Sequence, residues 1–199
     1  MPRETPVQPT RRALLVVDVQ PTFCEGGELA VEGGDQVAAD VAEYVRGHRH
    51  RYAAVVTTQD WHVDPGPHFS DEPDYVDSWP PHGIAGTPNA ELHPALADLR
   101  PDASVKKGQY AHGYSGFEGV DEQGRPLVQV LRDAGVEAVD VVGLVESHCV
   151  KHTAIDAVAA GFSARVLTDL TIPVSAEQGV TARAELREAG VELADSAAV

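Results

Sequence analysis

A thiol, a carboxylate and an ammonium group stand at the ends of three separate apolar runs, and a set of histidines lies between them in the chain. Cys149 follows His148 where the run Ala138 to Leu144 passes through Val145-Glu146-Ser147 into a helical pattern. Unpaired backbone N–H groups and the helix dipole at such a start favour a thiolate, and the same N–H groups can donate to an oxyanion. Taken alone, a cysteine there is more often a small buried residue closing a turn. Asp18 ends the run Arg12 to Asp18, where a lone aspartate usually bonds the next turn. The run Ala103 to Lys106 ends in Lys106-Lys107-Gly108, and these are two of only three lysines in the chain. A solvated pair of charges is the plain reading of these lysines.

Trp61 to Pro101 lacks regular patterning and holds more than half of the prolines. Irregular stretches this long inside a compact domain are uncommon unless they carry function. Asp60 and His62, two apart on an extended backbone, project to the same side, and His68 and His82 follow among the prolines. Carboxylate and imidazole suit Zn(II), Fe(II) or Mn(II). The spacing matches no compact zinc signature, so a divalent metal and a packed histidine cluster both remain open on the residues alone.

Arg12 to Asp18, Ala53 to Thr58, Ala103 to Lys106, Ala138 to Leu144 and Ala164 to Leu167 read as buried parallel strands, with Val191 to Leu193 at an edge and Asp169 just beyond the fifth. Between them, Asp35 caps a helix that Gly47 ends, Pro126 opens one that Gly135 stops, and a third starts near Cys149 and stops at Gly161. Ser175-x-x-Gln178 opens the last, closed by Gly190. The alternation predicts an α/β protein, a three-layer α/β/α arrangement with a mainly parallel central sheet. Ligands in such folds bind outside the carboxyl ends of the strands. Asp18, Asp60, Lys107 and Cys149 all fall there, on four different strands, and the coincidence outweighs the separate plain readings.

At 199 residues and 43% hydrophobic composition, the chain predicts a single domain over 1–199, with 1–11 as a flexible extension. A net charge of -16 argues against nucleic acid and against an anionic membrane surface as partners. Ala13 to Val17 is too short for a membrane span, and a cytoplasmic location is expected. Cys24 and Cys149 are expected to be free thiols, Cys24 structural. His48 to Arg51 reads as a solvated turn. Monomer and homo-oligomer stay equally open.

Val17-Asp18-Val19-Gln20, Phe23-Cys24-Glu25-Gly26-Gly27, Asp60-x-His62-x5-His68-Phe69-Ser70, Ser78-Trp79-Pro80-Pro81-His82, Lys107-Gly108, Tyr114 to Asp121 and His148-Cys149-Val150 occur in this order. Together they resemble the nicotinamidases (pyrazinamidases) of the isochorismatase-like cysteine hydrolase superfamily, from about Ala13 to near the carboxyl terminus. The resemblance implies a catalytic triad of Asp18, Lys107 and Cys149, and metal ligands Asp60, His62, His68 and His82 for one divalent ion. It also implies oxyanion donors at the backbone N–H groups of Val145 and Cys149, with a cis peptide between Leu144 and Val145. Phe23, Trp79 and Tyr114 are implied to line the ring pocket. The implied reaction is hydrolysis of nicotinamide to nicotinate and ammonia through a thioester, in NAD salvage, with pyrazinamide also accepted.

Gly108 favours Lys107 over Lys106 for the lysine role. Val145-Glu146-Ser147 departs from the smaller, more polar residues associated with the family, which bears on pocket width or amide preference. Gly83 stands where the family often has a cysteine. The alternatives are a hydrolase of the same fold acting on a different small amide or ureide, a vinyl-ether hydrolase, which the metal residues disfavour, and a non-enzymatic metal-binding protein.

Overall fold

A computed structural model describes residues 10–199. The extension expected over 1–11 falls mostly on residues outside that range. Six strands, β1 (Arg12–Val17), β2 (Ala54–Asp60), β3 (Ala103–Lys107), β4 (Ala138–Leu144), β5 (Ser163–Ile172) and β6 (Glu192–Ala194), form one sheet in the order β3-β2-β1-β4-β5-β6. Every pairing is parallel. β1, β2 and β4 are buried along almost their whole length because both faces are covered, which is why they read as continuous apolar runs. Helix α1 (Gly34–His48) lays Val37, Ala38, Val41 and Val45 on one face. Helices α2 (Leu127–Asp133), α3 (Lys151–Ala159) and α4 (Ala176–Glu188) cover the other through Leu127, Leu131, Ala154, Ala157 and Leu186. The three-layer expectation therefore holds. Among the described residues no helix is long and apolar enough to cross a membrane.

The chain steps outward from β1 to β3 and then returns to place β4 against the other side of β1. This reversal opens a crevice at the carboxyl ends of β1 and β4. Gly143 lets the two strands meet there: its φ is 112°, and a Cβ would lie 2.1 Å from the Val17 carbonyl oxygen. Three local expectations need correction. Gly33, not Asp35, occupies the cap position of α1, and Gly47 lies inside that helix, where its lost side-chain packing is tolerated on an exposed face. β5 runs five residues beyond Leu167, through Asp169, because a register shift against β4 between Val141 and Gly143 accommodates polar residues within the strand. A five-residue π-helical turn, Glu146–Val150, precedes α3, so the helical backbone begins before Cys149.

Candidate active site

Asp18 follows β1 directly, Asp60 and Lys107 are the last residues of β2 and β3, and Cys149 lies in the π-helical turn after β4. Asp18 adopts a left-handed φ of 46°, a conformation aspartate tolerates better than most residues. Thr58 fixes its orientation. The Thr58 hydroxyl donates to Asp18 Oδ1 at 2.6 Å, and Asp18 N–H donates to the Thr58 carbonyl at 3.2 Å. Oδ2 is left as a buried acceptor with no aligned hydrogen-bond donor, although Lys107 Nζ stands 2.8 Å away as its ion-pair partner. Lys107 Nζ also donates to the Gly113 carbonyl at 2.9 Å and to Asp60, and it lies 3.6 Å from Cys149 Sγ. Carboxylate oxygens of Asp18 and Asp60 fall within 4.8 Å of the Cys149 sulfur. Lys106 points the other way, as strand alternation requires, and stacks its ammonium 3.3 Å from the centre of the Trp61 ring.

Burial pushes the Asp18 carboxyl up, and Lys107 only partly opposes it. Burial also raises Asp60, but Lys107 and the facing histidines outweigh it and hold that carboxyl well below its ordinary range. Burial pushes the Cys149 thiol well up; Lys107 opposes this, while Asp18 and Asp60 reinforce it. The expected thiolate at a helix start is thus corrected: the resting group is a thiol, because desolvation and two nearby carboxylates outweigh the ends of a few N–H dipoles. Such a thiol needs a base, and a carboxylate of raised proton affinity stands beside it.

The second cluster is built of imidazoles. His62 Nδ1 donates to the Gly108 carbonyl at 2.7 Å, His82 Nδ1 to the Pro80 carbonyl at 2.8 Å, and His68 Nδ1 to the Asp77 carbonyl at 3.3 Å. A carbonyl can only accept, so each Nδ1 carries a proton, and Nε2 is the nitrogen left to face a ligand. His62 Nε2 is buried without any partner. Asp60 Oδ2 lies 3.6 Å from both His62 Nε2 and His82 Nε2. Three imidazoles with backbone-anchored Nδ1 atoms and one carboxylate held well below its ordinary range make a donor set that fits a divalent cation. Gln20, quoted in the sequence motif without a role, clamps Asp60 by accepting its N–H at 2.9 Å and donating to its carbonyl at 2.9 Å. Gln20 and Thr58 were missed as supports; the signal available was polar residues inside otherwise apolar, buried runs.

Both clusters open on one cavity of about 310 Å³, lined by Phe23, Trp79, Tyr114, Val145, His148 and Cys149. Asp60, His68 and His82 reach the same space. Trp79 Nε1 donates to the Tyr114 hydroxyl at 2.8 Å, which donates in turn to the Val76 carbonyl at 3.0 Å, tying two loops into one aromatic wall. His148, to which the sequence assigned nothing beyond adjacency to Cys149, packs edge-on against Trp79. The Leu144–Val145 peptide is cis. A further trio, Cys24, Asp35 and His93, brings its polar atoms equally close. There His93 Nδ1 accepts Ala95 N–H at 3.1 Å, so Nε2 bears the proton and serves Asp35 rather than a metal. Cys24 is buried, and burial with Asp35 and Glu25 pushes its thiol up to about 12.

The profile of the isochorismatase domain matches residues 12–198. Among characterised relatives, the nicotinamidase/pyrazinamidase of Mycobacterium tuberculosis is 53% identical over 92% of this chain and 97% of its own. The pyrazinamidase of Pyrococcus horikoshii, solved in complex with zinc, superposes with a TM-score of 0.79 at 34% identity, covering 93% of this chain and 99% of that one. A protein of L. infantum solved in complex with nicotinate gives a TM-score of 0.81 at 34% identity, with 96% of each chain covered.

Proposed function

The chain belongs to the isochorismatase family, and on that premise we propose that it is a cysteine amidohydrolase, converting nicotinamide to nicotinate and ammonia and acting likewise on pyrazinamide. The observation that carries the reading is the convergence of Cys149, Lys107 and the Lys107-paired Oδ2 of Asp18 beside the imidazole cluster, behind a cavity with aromatic walls that Cys149 lines. Cys149 Sγ attacks the carboxamide carbon while Asp18 Oδ2 takes the thiol proton. The carbonyl electrons move to oxygen, and the oxyanion is held by the N–H groups of Val145 and Cys149. The C–N bond then breaks, Asp18 returns the proton to the departing ammonia, and a thioester remains. Water adds to the thioester with Asp18 again as base, releasing the acid and the thiol. Lys107 keeps the Asp18 charge compensated throughout.

Asp60, His62, His68 and His82 would hold one divalent ion, which when bound supplies a Lewis-acidic contact for the ring nitrogen and so orients the amide. Phe23, Trp79 and Tyr114 sandwich the ring. Release of nicotinate by such an enzyme would place it in pyridine-nucleotide salvage. Ammonia release from nicotinamide by the metal-loaded protein, compared with a panel of other small amides and ureides, tests the reading. Turnover of another amide with none of nicotinamide would replace it by a different amidohydrolase of the same family.

A further inference from the structure

We infer that Arg183 is a positioning residue for the oxyanion donors, acting through the buried carboxylate of Glu146; the inference rests on the hydrolytic reading above. Glu146 directly follows Val145, and its side chain has no solvent exposure. Arg183, on α4, grips both of its oxygens, Nε to Oε1 at 2.7 Å and Nη2 to Oε2 at 2.9 Å. A bidentate fork fixes orientation as well as distance. Neither residue reaches the cavity, so the pair does not touch the ring or the amide.

The segment it grips is the π-helical turn, whose Glu146 and His148 carbonyls accept Lys151 N–H. In the π-helical turn the Val145 carbonyl accepts both His148 N–H at 3.1 Å and Val150 N–H at 3.3 Å, a wider loop than an α-turn. Beyond the backbone pairing of Leu144 with Ile172, side chains restrain it from outside. Glu146 is tied to α4, and the Ser147 hydroxyl accepts Val174 N–H at 3.2 Å, which ties the next residue to the connection before α4. The two tethers lie between Val145 and Cys149, the positions whose N–H groups hold the oxyanion in the hydrolytic reading above. The fork therefore sets where those donors sit relative to Sγ.

The test uses the full-length, metal-loaded protein with Arg183→Met, Arg183→Lys and Glu146→Gln. Three quantities are measured: nicotinamide turnover, affinity for nicotinate, and affinity for pyridine-3-carbaldehyde. With the aldehyde, Cys149 Sγ forms a bond to the carbonyl carbon, its proton passes to Asp18, and the carbonyl electrons become an oxyanion at the donors. A misplaced donor pair is expected to lower kcat and aldehyde affinity by about 10- to 100-fold in Arg183→Met, with KM and nicotinate affinity changed by about twofold or less. Arg183→Lys should recover part of both losses. Unchanged kcat and aldehyde affinity in folded Arg183→Met would overturn the inference. So would equal loss of aldehyde and nicotinate binding with no recovery in Arg183→Lys, which marks a merely structural pair. If Arg183→Met does not fold, Glu146→Gln decides by the same ratio of affinities. A wild type that binds both pyridines but does not release ammonia from nicotinamide would instead count against the functional reading alone.

Discussion

Lys107 donates to one oxygen of Asp60 while the other oxygen of Asp60 faces His62 and His82, 3.6 Å from each Nε2. The same ammonium stands 2.8 Å from Asp18 Oδ2. One buried cation thus compensates both the carboxylate beside the nucleophile and the carboxylate beside the imidazoles, and nucleophile chemistry and metal affinity share a common charge. Replacing it with Lys107→Met leaves two buried carboxylates uncompensated. Loss of activity is expected together with a fall in stability of about 3 to 5 kcal/mol, read by chemical denaturation. An unchanged denaturation midpoint would show that the carboxylates do not depend on this lysine.

Asp18→Asn keeps shape and the Thr58 contact but cannot take a proton from a thiol that burial holds in its protonated form. A fall in kcat of about 10²- to 10⁴-fold is expected with little change in nicotinate binding. Cys149→Ala should abolish turnover, and mass spectrometry of the protein quenched during turnover should show an acyl-enzyme in the wild type and none in this variant. Wild-type rates in either variant would remove the proposed roles.

Removal of the metal by a chelator should suppress ammonia release and lower the melting temperature, since an ion bound only to the folded state stabilises it. Readdition of Zn(II), Fe(II) or Mn(II), each followed by elemental analysis, ranks the ions. His62→Ala and His82→Ala should bind less than one equivalent under conditions where the wild type is full.

Gly108 has φ 69°, and a Cβ there would sit 2.5 Å from His62 Cε1. Gly108→Ala therefore both strains the backbone and displaces the ring. A stability loss of about 1 kcal/mol or more is expected, with reduced metal content as the more telling readout. Full metal occupancy in a folded Gly108→Ala protein would contradict the placement of His62.

His148 is held neutral, its pKa lowered to about 4 by burial, with Lys151 and His152 adding repulsion. Below the ordinary value of 6.5 the unfolded chain takes up a proton that the folded chain refuses, so this contribution to stability is full above pH 6.5 and is lost as pH falls toward 4. Between those limits the denaturation midpoint of the wild type should fall more steeply with acidification than that of His148→Gln. Parallel slopes would place the histidine in contact with water.

Much of this protein was legible in one dimension. Apolar runs ending in Asp18, Lys107 and Leu144, with glycine and proline punctuation, determined the strand and helix alternation, because patterning and turn chemistry are local properties. The quoted motifs pointed to the family, the candidate triad, the candidate metal ligands and the pocket aromatics, though not to Thr58. Tertiary structure decided what depends on distant pairing and burial. The strand order placed β4 against β1, and so brought Cys149 beside Asp18 from across the chain. Strand alternation under that pairing sent Lys107 inward and Lys106 to Trp61. Desolvation beside two carboxylates, rather than the helix start, set the protonation of Cys149, since a charge responds to everything packed around it and not to its neighbours in sequence. For the same reason the partnership of Glu146 with Arg183, 37 residues apart, could be seen only once α4 lay against the π-helical turn.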